Sequence, residues 1–164
     1  MSSVIKRAAV SFVVCVGMSS AAFAGWTSSS GGNVPEQSVV AGSESDGAPL
    51  FVCRANYYGG VHPGKVRKAF GGCNIGWGGG EHKVSQYEVY TSTQSYGWVS
   101  ASGGSIPAGA VIAGKESNGD PLFVCRAKYN GGTHPGKIRN AFGGCNIGWG
   151  GEEHKVISYE VLTE

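Results

Sequence analysis

A set of polar residues recurs in this chain at one constant offset. The pairs are Glu44/Glu116, Arg54/Arg126, His62/His134, Lys65/Lys137, Arg67/Arg139, Asn74/Asn146, Glu81/Glu153, His82/His154, Lys83/Lys155 and Glu88/Glu160. A carboxylate beside an ammonium suits the recognition of neighbouring hydroxyls, because the carboxylate accepts two hydrogen bonds while the ammonium donates to the hydroxyl oxygens. Sugars present such hydroxyl pairs, and rings such as Trp77 and Trp149 can cover their apolar faces. The plainer alternative is a set of solvated surface pairs, each worth about 0–1 kcal/mol. In either case the lysines are expected to be exposed.

Other chemistries fit these residues less well. A glycosidase needs two carboxylates flanking one bond, and nothing pairs Glu81 or Glu153 with a second catalytic acid. No Ser-His-Asp arrangement stands out, so an enzyme is not expected. "GGVHPGKV" and "GGTHPGKI" approach the phosphate-loop pattern, but Val66 and Ile138 stand where the Ser or Thr that holds magnesium belongs. No helix start follows to place a dipole against a phosphate, so no nucleotide or other cofactor is expected.

Cys53, Cys73, Cys125 and Cys145 allow two readings. An even number of cysteines in a secreted chain reads as disulfides, within or between the repeated segments. Pairing within a segment closes a loop of about twenty residues, worth roughly 3 kcal/mol by loop-closure entropy. The sharper alternative is zinc, with His62 and His82 or His134 and His154 as further ligands. The spacing is wide and lacks the close Cys-x-x-Cys pair of usual structural sites, so no metal is expected.

The elements that must position these residues come from a duplication. Trp26 matches Trp98, Cys53 matches Cys125 and Val89 matches Val161 without a gap. Roughly 70 % of the paired positions are identical, a self-similarity that outranks every other signal. The chain divides into a segment 1–24, a first repeat 25–90, a linker 91–96 and a second repeat 97–162. Each repeat is small enough to be marginal alone, and the linker is short, so one compact body with approximate two-fold symmetry is expected. "PLFVCRA" is a strand bounded by turns, and "SYEVL" alternates with a period of two. "GWVSASGGSIPAGAVIAG" reads as two strands around a Gly-Gly turn. Glycine, at 29 of 164 residues, interrupts every candidate helix. The fold class is all-β.

The amino terminus is read separately. "MSSVIKRAAVSFVVCVGMSSAAFAG" carries Lys6 and Arg7, an apolar run and small residues before Ala24. That is the pattern of a secretory signal peptide cleaved after Ala24. Its removal takes Cys15 and two positive charges. The whole chain holds 13 Lys plus Arg against 11 Asp plus Glu, so the remainder is close to neutral. No basic stripe is left for nucleic acid. The expected location is extracellular or periplasmic.

With these residues in view, "GWVSASGGSIPAGAVIAGKESNGDPLFVCRA", "GGTHPGKI" and "GWGGEEHKVISYEVL" resemble the DM-nine repeat. That repeat occurs in tandem in invertebrate proteins, in natterin-like proteins and in bacterial and fungal relatives. The resemblance covers both repeats. It implies a compact pseudo-symmetric β-fold similar to that of mannose-binding lectins, with one sugar site per repeat. It also implies site residues: the acid two positions after the Ala-Gly pair and the Lys of the Pro-Gly-Lys turn. Here these are Glu44 with Lys65, and Glu116 with Lys137. The lectins of this type carry Asp at the acid position, and the family often has small uncharged residues where the cysteines stand. His62, Trp77, Glu81, His134, Trp149 and Glu153 are secondary candidates. Glycans of mannose type are the expected partners, and a homodimer is left open. Natterin-like proteins join the repeat to pore-forming regions; no such region is seen here, so membrane insertion by this chain alone is not expected. The competing reading is a structural or protein-interaction β-module.

Overall fold

A computed structural model describes residues 21–164. The expected signal segment lies largely outside the described residues. The first repeat forms β1 (Ala24–Ser30), β2 (Val40–Ser43), β3 (Pro49–Tyr57), β4 (Gly60–Val66), β5 (Cys73–Trp77), β6 (Gly80–Val84) and β7 (Gln86–Ser92). The second forms β8 (Gly97–Ser102), β9 (Ile112–Lys115), β10 (Pro121–Tyr129), β11 (Gly132–Ile138), β12 (Cys145–Trp149), β13 (Glu152–Val156) and β14 (Ser158–Thr163). Two short 3-10 turns, Lys68–Phe70 and Asn140–Phe142, are the helical elements among the described residues. The all-β expectation holds.

Every pairing of the first repeat has its counterpart in the second. β1 lies against β7 as β8 lies against β14, and β3 pairs with β4 as β10 pairs with β11. The repeats are joined by three short seams. Ser43 pairs with Thr133, Val61 pairs with Lys115, and Gly80 pairs with Glu152. The first two seams close a ring in the order β2-β3-β4-β9-β10-β11, three strands from each repeat. At these seams the Ala-Gly pair of each repeat meets the opposite backbone. A Cβ on Gly42 would overlap the Thr133 carbonyl, and one on Gly114 the Val61 carbonyl.

Burial follows the same plan. One cluster per repeat surrounds its cysteines: Cys53, Cys73, Ile75 and Val89 in the first, Cys125, Cys145, Ile147 and Val161 in the second. A third cluster is shared, with Val39, Ala41, Val52 and Tyr90 from one repeat against Ala113, Val124 and Leu162 from the other. The disulfides are Cys53–Cys73 and Cys125–Cys145, each within a repeat. This consumes the thiolates on which zinc would have depended.

Two expectations are corrected. His62-Pro63-Gly64-Lys65 is not a turn but the middle of β4, and its twin the middle of β11. Proline survives there because the second neighbour of β4 changes, from β9 at Val61 to β5 at Gly64. Pro63 sits in the gap between those contacts, where a missing N–H is tolerated. The strands at the start of each repeat also do not pair with each other. β8 lies on β14, while β9 crosses to β10. The intervening "IPAGA" segment carries the chain from one neighbour to the next.

Candidate functional site

Alternation along β4 sends Val66 into the cysteine cluster and Lys65 to the opposite face. Lys65 is therefore buried, with 3 % exposure, and so is Lys137. This overturns the expectation of exposed lysines. The reason is a set of partners gathered from both repeats.

Lys65 Nζ lies 3.4 Å from Glu81 Oε1 and 3.5 Å from His134 Nδ1. Lys137 Nζ lies 3.5 Å from Glu153 Oε1 and 3.3 Å from His62 Nδ1. Each lysine thus meets the Glu of its own repeat and the His of the other. The ammonium groups stand over Phe70 and Phe142, at 5.6 and 5.7 Å from the ring centroids. Glu81 Oε1 also accepts from Asn74 Nδ2 at 3.4 Å, while Oε2 accepts from Gly151 N at 3.2 Å. Glu153 does the same with Asn146 and Gly79. The backbone closes this clasp: Glu81 N donates to Gly151 O and Glu153 N to Gly79 O, both at 2.9 Å.

The histidines are held neutral. Burial, and then the adjacent Lys137 ammonium, lower the His62 pKa to about 4, against smaller raising effects from the Tyr57 backbone and Glu153. Burial and Lys65 lower that of His134, opposed by Glu44, the Tyr129 backbone and Glu81. A lysine only donates, so each Nδ1 is an acceptor and the proton sits on Nε2. Each buried Nε2 faces the backbone of its own repeat, Tyr57 or Tyr129, without a well-formed hydrogen bond. Lys137 is itself pushed below the ordinary lysine value by burial, with Glu153 and Glu116 pulling the other way.

Glu44 and Glu116 follow the ends of β2 and β9, at the two ring seams. Their backbone closes the tight turns to β3 and β10, Glu44 N donating to Ala48 O and Glu116 N to Asp120 O at 2.9 Å. Both side chains are half-buried. Glu44 is near enough to act on His134, and Glu116 on Lys137. The structure therefore gathers Glu44, Lys65, Glu81 and His134 at one junction, and Glu116, Lys137, Glu153 and His62 at the other. A shallow hollow of about 270 Å³ opens beside the second, lined by Phe142, Asn146 and Glu153.

Trp77 and Trp149 are not brought to these junctions. They share the face of β5 and β12 that carries Cys73, Ile75, Cys145 and Ile147, while Asn74 and Asn146 point to the lysines. Each Trp instead belongs to an aromatic group with Tyr57 and His82, or Tyr129 and His154. His82 Nε2 donates to Trp77 O at 3.0 Å, and its Nδ1 meets the Tyr57 hydroxyl at 3.1 Å. Other recurring residues prove structural. Arg54 lies over Trp26 at 4.2 Å and donates to Glu88 at 2.7 Å, as Arg126 does with Trp98 and Glu160. Arg139 pairs with Asp120. Among the described residues no cluster of three or more His, Cys, Asp or Glu side chains has the geometry to hold a metal. No helix among them is long and apolar enough to cross a membrane.

Fold and junctions together define a class: a tandem-repeat β-module whose polar sites are built across the two repeats. The chain belongs to the DM9 repeat family, whose model matches residues 6–84 and 51–156. Comparison with curated proteins finds no match. Among solved structures, the nematode sperm cell motility protein MFP2B is similar, with a TM-score of 0.65 and 15 % identity over 87 % of this chain. The match covers 46 % of that protein, so this chain spans less than half its length and the likeness is one of fold.

Proposed function

We propose that the protein binds glycans of mannose type through two equivalent sites, Glu44 with Lys65 and Glu116 with Lys137, and that it acts by binding rather than catalysis. One observation carries this reading. Each ammonium has three donors, and the structure engages it with two acceptors, a Glu and a His. One donor is left over, and each junction holds a half-buried carboxylate, Glu44 near His134 and Glu116 near Lys137, whose side chain has no hydrogen-bond partner among the described residues. A spare N–H and a spare carboxylate at one junction fit two adjacent sugar hydroxyls. Two sites on one rigid body would raise avidity by about 10²–10⁴ on a glycan-coated surface. The two disulfides are compatible with an extracellular location, and we place the signal segment at 1–24 and the repeats at 25–90 and 97–162.

A second reading has its own support. The Lys65–Glu81–Gly151 clasp joins the repeats, so the lysines could serve the fold alone, in a module that binds protein. Replacing the lysines cannot separate these readings, because removing one partner of a buried pair costs about 3–5 kcal/mol. The acids can. Glu44→Gln with Glu116→Gln keeps each lysine's contact with its Glu and His, so the double variant should stay folded and lose less stability than removal of either lysine. A charged hydrogen bond is worth about 1.5–3 kcal/mol, so each site should weaken by about ten- to a hundredfold. A glycan array followed by calorimetry with a mannose-rich oligosaccharide measures this. Undiminished binding by the folded double variant would move the sites elsewhere, and an array without a hit would favour the protein-binding module.

A further inference from the structure

The two repeats differ at two aromatic positions: Tyr90 gives way to Leu162 within the shared core, and Tyr58 gives way to Asn130 at the surface. Tyr58 follows Tyr57 at the tight turn between β3 and β4, and Asn130 takes its place between β10 and β11. The backbone is the same in both, with φ of 43° at Tyr58 and 45° at Asn130. Tyr58 is 71 % exposed, yet its ring lies flat on Trp77, with centroids 4.5 Å apart and planes 13° apart. The other rings around Trp77 are not flat on it: Tyr57 stands at 72° and His82 at 64°.

Around Trp149 the same framework is present without its cover. Tyr129 stands at 64° and His154 at 56°. Among the described residues no ring stacks flat on Trp149, and no cationic group lies over it. In the first repeat the Tyr58 ring fills the space over the indole that no ring fills in the second.

We infer that Trp149 and Asn130 form a third carbohydrate subsite, in which a pyranose ring stacks on the half-buried indole, over the face that no other ring covers, while the Asn130 amide bonds its hydroxyls. Tyr58 occupies the equivalent place on Trp77 and closes it. An aromatic side chain of a partner would match the ring but leave the amide unused, whereas a sugar uses both its face and its rim. The subsite is separate from the Lys137 junction, because Trp149 and Asn146 face opposite sides of β12. It makes the two ends of the molecule unequal in spite of the repeat.

The inference rests on the glycan reading, and the test keeps the two apart. The probe is a mannose oligosaccharide titrated into the full chain, read at the indole N–H resonances of the tryptophans. The Trp149 signal should shift on titration, and should still shift in Glu44→Gln/Glu116→Gln. Asn130→Tyr, which copies the first repeat, should raise the dissociation constant at this subsite at least tenfold and freeze the Trp149 signal. Tyr58→Asn should do the reverse and make Trp77 respond. Sugar binding seen at other residues with Trp149 unmoved would overturn the subsite and leave the glycan reading standing. No response at any residue, together with an array without a hit, would overturn both. A Trp149 signal that moves only with aromatic peptides would assign the platform to a protein partner instead.

Discussion

Lys65 and Lys137 owe their environment to residues far along the chain, His134 and His62 at separations of 69 and 75. Two histidines facing two lysines make an acid-sensitive junction. His62 faces Lys137 and Glu153; His134 faces Lys65, Glu44 and Glu81. The His62 pKa is lowered from 6.5 to about 4, so the unfolded chain binds more protons than the folded one between those values. Stability is then fully present above about pH 6.5 and is lost as the pH falls toward 4. For His62 alone the loss is on the order of 3 kcal/mol, and His134 adds to it in the same direction. Urea denaturation at pH 7 and pH 4.5 should show this fall, and His62→Gln with His134→Gln should flatten it. An equal fall in that double variant would place the acid sensitivity in other groups.

At the scale of strands, the sequence was most legible where local chemistry decides the structure. "PLFVCRA" and "SYEVL" carry β-branched and aromatic residues in runs bounded by turns, and both are strands, β3/β10 and β14. "HPGK", a turn in what the resemblance implies, also carries the Pro and Gly that mark turns by local rules. In the molecule each has a long-range reason. Pro63 falls where β4 exchanges one neighbour for another, and Gly64 lets β5 approach, since a Cβ there would overlap the Asn74 carbonyl. The junctions were half legible. Repetition singled out Glu, Lys and His, but burial of the lysines depends on seams between repeats that no local pattern announces. Gly64→Ala should therefore cost about 1–3 kcal/mol, because backbone must move. Gly31 provides the control: its φ is +61° with open space around the added Cβ, so Gly31→Ala should cost about 1 kcal/mol for conformation alone. Thermal melts of both variants measure the difference; equal losses would mean that β5 yields without strain.

For the whole molecule the decisive feature is that neither repeat owns its core. The shared cluster takes Val39, Ala41, Val52 and Tyr90 from one repeat and Ala113, Val124 and Leu162 from the other, all essentially buried. The ring likewise needs strands from both, and within one repeat β2 and the Val61 end of β4 would each present an unpaired edge. A fragment of residues 25–94 keeps its disulfide and its own cysteine cluster but exposes half of the shared core. So short a unit buries too little to compensate. The similarity of the repeats adds a second consequence. The seams Ser43–Thr133 and Val61–Lys115 are reciprocal, so two copies of the fragment can meet through the surfaces that the repeats use within one chain. The fragment should be largely unfolded when dilute and should fold only as a dimer, its melting temperature rising with concentration. Sedimentation and thermal melts over a hundredfold concentration range test this. A cooperative melt that is independent of concentration, from a monomer, would show that each repeat is a domain in its own right and that the shared cluster is only a contact between two beads.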